Sequence, residues 1–149
     1  MSKQANTKSR AGTRRQPRER GQSLVETAIV FPVLLLLLAA VVDFGRAFDA
    51  YIVLTNAARE GARFGAVKPS LTVDQVKAVV VADVLGSGTN LTQMADFTVD
   101  NVTVTGQQEG SDVVAVTVTY DFDLWFGGLI GVPQVTLNKV SEMPRWRND

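Results

Sequence analysis

Apolar residues follow three different rhythms along this chain. From Ala28 to Val42 the sequence reads AIVFPVLLLLLAAVV, fifteen residues without a charge. Extended back to Leu24, the run covers nineteen positions, interrupted only by Glu26 and Thr27. A helix of that length rises about 28 Å, close to the hydrocarbon thickness of a bilayer. The five leucines Leu34 to Leu38 make it apolar on every side, which suits lipid or complete enclosure. Nothing else in 149 residues is large enough to enclose it, so the run reads as a membrane span. Beyond Val42 the rhythm narrows. Phe44, Phe48, Tyr51, Thr55, Ala58 and Ala62 recur at steps of three and four, a helix stripe. Arg46, Asp49, Asn56, Arg59, Glu60 and Arg63 take much of the remaining surface, with Glu60 expected to point away from the two arginines around it. One helix is therefore predicted from about Ser23 to Phe64. Pro32 removes one of its hydrogen bonds and is expected to kink it. Gly45, Gly61 and Gly65 weaken it but permit close backbone approach.

The third rhythm is that of a small α+β head. Lys68-Pro69 ends the long helix, and Thr72-Val73-Asp74-Gln75 is a capping-box sequence. Val73, Val76, Val80 and Val84 predict a helix over 73–85, and Gly86 to Asn90 a loop. That loop has neither the Lys nor the length of a phosphate cradle. Period-two alternation then predicts strands over 97–105 and 113–123, joined as a hairpin across Gly106 to Gly110. Val135, Leu137 and Lys139 start a third strand that ends before Pro144. Asp121 and Asp123 share one strand face, and water is the expected surrounding rather than a metal. The apolar connection Leu124 to Ile130 covers the sheet, dips into a membrane surface or meets a partner; core cover is the expectation. Trp146, between Arg145 and Arg147, is either a contact residue or part of a frayed tail. Asn101-Val102-Thr103 is a glycosylation sequon only in hosts that use one.

Charge sharpens this picture. Fifteen basic residues balance fifteen acidic ones, but not evenly. Residues 1–21 carry seven bases against Glu19, a net +6, and the remainder carries −6. A basic segment before an apolar span places the N-terminus on the cytoplasmic side and the head outside. That context removes a nucleic-acid role for the basic segment. A cleaved secretory signal fits poorly, since Leu38-Ala39-Ala40-Val41 lacks an A-x-A site and the helical pattern continues. Arg14-Arg15 lacks the apolar residues of a twin-arginine signal. The chain has no Cys and no His. Thiolate metal sites, imidazole ligands and Ser-His-Asp catalysis are excluded, and no catalytic residue, metal site or cofactor is assigned.

Glu26 lies just inside the apolar run, where a carboxylate is costly. Were the chain cut after Gly21, the new amine on Gln22 would lie about one helical turn from it and could neutralise it. The alternative is an interfacial carboxylate that reaches headgroup water or stabilises a helix N-terminus.

The stretch Arg20 to Val67 closely resembles the TadE-like family of pseudopilins, which accompany the tight-adherence (Flp) branch of type IV pilus machinery. The matching motifs are Gly21, Glu26, Pro32, Asp43-Phe44-Gly45-Arg46 and Asn56 to Arg63, over about 48 residues; Met143-Pro144-Arg145 matches more loosely. The resemblance implies cleavage by a prepilin peptidase between Gly21 and Gln22, with Glu26 serving assembly or processing. Thr27 stands where Flp pilins have a Tyr, which favours a pseudopilin over the major pilin. The implied fold is the pilin-like lollipop: a cytoplasmic leader (1–21), a transmembrane half-helix (22–43), an extracytoplasmic half (44–66) and a head (67–149). Phe44, Gly45, Arg46, Asn56, Arg59, Glu60, Gly61 and Arg63 are expected at helix packing or subunit contacts. Implied partners are the peptidase, other Tad/Flp subunits, the inner-membrane assembly platform and the bilayer, with the protein in the cytoplasmic membrane or a surface pilus. The competing expectation is a membrane-tethered binding or adhesion module that never polymerises.

Overall fold

A computed structural model of the chain describes residues 19–87, 94–107 and 110–145. The leader up to Arg18, most of the predicted 86–90 loop and Trp146 lie outside the described residues. Helix α1 (Glu19–Val67) is followed by α2 (Val73–Gly86) and strands β1 (Val102–Thr105), β2 (Val113–Asp123) and β3 (Gln134–Pro144). The strands form one antiparallel sheet in the order β1-β2-β3. The predicted α+β class, with one long N-terminal helix, one short helix and three strands, holds. By backbone contacts the chain divides into two units that meet between Leu37 and Leu38.

The first unit contains most of the apolar run, and its described residues are exposed from Gly21 onward. Helix α1 continues through Pro32 without interruption. It also starts earlier and ends later than its apolar pattern, since Lys68 N–H still donates to the Phe64 carbonyl before Pro69 stops the chain.

The second unit packs one face of the sheet against α1 and α2. Strand β2 sets the pattern: Val114, Val116, Val118, Tyr120 and Phe122 point inward and are buried, while Thr119, Asp121 and Asp123 face outward. Helix α2 contributes Val76, Val80 and Val84, a stripe at steps of four. Its start is the predicted capping box, with Thr72 accepting from the Gln75 amide and Gln75 from the Thr72 amide. Two helix termini are otherwise costly to bury, because the last carbonyls lack intrahelical partners. Gln107 answers this at the end of α1: its Nε2 donates to the Gly65, Lys68 and Leu71 carbonyls at 3.5, 3.4 and 3.1 Å.

Several expectations are corrected. The strand predicted from Phe97 begins only at Val102. Thr98 and Asn101 bond each other's backbone and side chain, closing a 3-10 turn over Val99–Asn101 that takes those residues out of the ladder. The outer half of the predicted α1 stripe packs, with Thr55, Ala58 and Ala62 buried, but its inner half does not. Phe44, Phe48 and Tyr51 are exposed, and the first two stack on each other at 6.1 Å. The buried line runs through Ala50, Val53, Leu54, Ala57, Ala58, Ala62 and Ala66, with Gly61 and Gly65 in it. Small residues won because the helix lies close to its neighbours: a Cβ on Gly61 would stand 2.3 Å from Val80 Cγ2. Gly45, by contrast, faces open space and permits no close approach.

Candidate functional site

The apolar run ends at Val42, and the next residue, Asp43, is buried. A lone buried carboxylate is expensive, so its partners matter. They come from 82 and 83 residues away in sequence: the Trp125 and Phe126 amides donate to Oδ1 and Oδ2 at 2.9 and 2.8 Å. Arg46, one helical turn on, donates from Nη1 to Oδ1 at 3.2 Å. The same guanidinium lies over the Trp125 ring, 3.7 Å from its centroid, and 5.1 Å from that of Phe122. It thereby gains a cation–π contact in addition to the ion pair. Asp43 and Arg46 together form a latch between the helix and the β2–β3 connection.

The latched connection is self-supporting. Leu124 N–H donates to the Pro133 carbonyl and Val132 N–H to the Gly127 carbonyl, both at 2.9 Å. Gly127 is required there, because a Cβ would meet the Val132 carbonyl oxygen at 2.0 Å. With backbone filling the inside of the turn, the side chains go outward. Trp125, Leu129 and Ile130 are 66%, 71% and 67% exposed, which overturns the expectation that this segment covers the core. Only Leu124 packs against it.

The other predicted positions separate into two sets. Gly21, Gln22 and Glu26 lie on one exposed stretch of α1, and a Cβ on Gly21 would touch nothing within 4 Å. Asn56, Arg59 and Arg63 are exposed on the far half of the helix, opposite the buried alanines. Glu60 does not point elsewhere, as its sequence position suggested. It accepts from Arg63 Nε and Nη2 at 2.9 and 2.6 Å, a two-pronged pair that the i,i+3 spacing allows. Among the described residues, no three Asp or Glu side chains gather where a metal ion would be held. Asp121 and Asp123 are exposed and accept from Thr136 and Gln134 of β3.

Comparison with known proteins adds a decisive observation. Residues 21–63 match the model of the family described as TadE-like protein. The chain carries a TadE-like segment. No curated protein and no solved structure matches it. The TadE-like segment opens on Gly21, contains Glu26 and the whole apolar run, and includes both halves of the Asp43–Arg46 latch. It closes on Arg63, the partner of Glu60. The described helix over Gly21–Val67, which holds this segment, is long and apolar enough to cross a membrane. Sequence reasoning noticed Asp43 only as part of a motif and missed its role. The available signal was an acid at the end of an apolar run with an Arg three residues on. Gln107 gave no signal, since only the fold brings it to the end of α1.

Proposed function

We propose that this chain is a membrane-anchored subunit of a Tad (Flp) pilus system, a minor pilin or pseudopilin with no catalytic activity of its own. The observation that carries the reading is the TadE-like match over residues 21–63, which opens on Gly21 and takes in the apolar run. The helix holds the subunit in the cytoplasmic membrane as a single pass. The basic residues before it stay in the cytoplasm and the head lies outside. A prepilin peptidase removes residues 1–21, leaving Gln22 as the first residue. In an assembly of packed apolar helices, Glu26 then neutralises the Gln22 amine of a subunit. An unpaired charge there costs several kcal/mol, so the pairing fixes axial register. The partners are the peptidase, other Tad pilus subunits and the inner-membrane platform. Exposed residues on the outer half of α1, Asn56, Arg59 and Arg63 among them, are available for subunit contact.

Gly21→Arg blocks the cut and Glu26→Ala removes the pairing group. The expected outcome is a precursor-sized band on gels for the first and loss of surface pili for both. Normal maturation and normal piliation in both variants would refute the reading.

A further inference from the structure

We infer that the Leu124–Pro133 connection is a second membrane contact, an apolar foot that inserts into the outer headgroup region of the bilayer crossed by α1. The inference rests on the membrane reading of α1 and goes beyond it, because it assigns a lipid-binding surface to the head. Three observations carry it. The first is depth. Asp43 directly follows the last apolar residue of the run, and its carboxylate holds the Trp125 and Phe126 amides at 2.9 and 2.8 Å. The connection is therefore fixed beside the turn of α1 where hydrocarbon gives way to headgroups. The second is composition. Leu124 to Pro133 contains no charged residue, and Trp125, Phe126, Leu129, Ile130 and Val132 are exposed. Trp is the side chain favoured at membrane interfaces, where its ring is in an apolar layer and its N–H in a wet one. The third is backbone satisfaction. Internal hydrogen bonds within the turn remove part of the cost of placing irregular backbone near lipid.

The test uses the full chain with Trp146→Phe, so that Trp125 is its one tryptophan. The protein is reconstituted into phosphatidylethanolamine–phosphatidylglycerol vesicles that contain lipids brominated either near the headgroup or deep in the acyl chain. Flotation with the vesicles reports anchoring by α1, and Trp125 emission reports the foot. The expected result is flotation with loss of about half the emission to the shallow bromines and little loss to the deep ones. Adding Leu129→Asp and Ile130→Asp is expected to abolish the quenching while flotation persists; circular dichroism checks that the head remains folded. Flotation with no quenching in the Trp146→Phe chain, and full access of Trp125 to aqueous iodide, overturns the inference and leaves the anchor intact. Shielding that depends on the protein-to-lipid ratio rather than on bromine overturns it in favour of a second protein copy. Failure to float refutes the anchor itself, and the inference with it.

Discussion

Among the described residues, Asp43 has a demanding position. It is buried, charged and held by two amides and one guanidinium. Removing one member of such a set leaves the others desolvated without compensation, which typically costs more than the set contributes. Asp43→Ala is expected to destabilise the head by about 3 kcal/mol, measured by thermal unfolding of the full chain in detergent. Trp125 emission should shift in the same variant, because its amide anchor is lost. Tyr120 is the second informative residue. Burial, together with its hydrogen bond to Asp96, pushes its hydroxyl well above the ordinary tyrosine range. A pKa raised on folding means that the stabilisation is complete below the unfolded value. It is lost as pH climbs above that value, roughly pH 10 for a free tyrosine. Stability of the native chain should therefore fall on alkaline titration from about pH 10, and Tyr120→Phe should remove that component of the fall.

At the scale of elements, the sequence was most readable where one physical cause acts alone. The apolar run, the capping box at Thr72 and the alternation of β2 each announce themselves through local residues, and all three are present. Reading failed where tertiary contact chose between local options. The large aromatics Phe44, Phe48 and Tyr51 suggested the packed face of α1. The sheet and α2 instead pack on a face of mostly small residues, and they approach most closely at Gly61 and Gly65. Likewise, the apolar Leu124–Ile130 segment looked like core, but its own backbone fills the turn and turns its side chains out. The latch spans more than eighty residues, so no local pattern reveals it. The two helix glycines give a paired test. Gly61→Ala forces a methyl toward Val80 and is expected to cost about 1–3 kcal/mol, the usual penalty for overpacking. Gly45→Ala meets open space and is expected to gain up to about 1 kcal/mol of helix stability. Unfolding midpoints of the two variants should move in opposite directions.

Over the whole chain, the formal charge of zero conceals a +6 leader and a −6 remainder, separated at Gly21. The TadE-like segment starts at that same residue. On the proposed reading the leader orients and presents the precursor and is then discarded, leaving 128 of the 149 residues. On that reading the helix holds the acidic product in the membrane, and within the second unit the Asp43–Arg46 latch ties the β2–β3 connection to α1. Sequencing the N-terminus of the protein recovered from cells that express a prepilin peptidase tests this account most directly. The account predicts a chain that begins at Gln22; a mature protein that still carries residues 1–21 would contradict it.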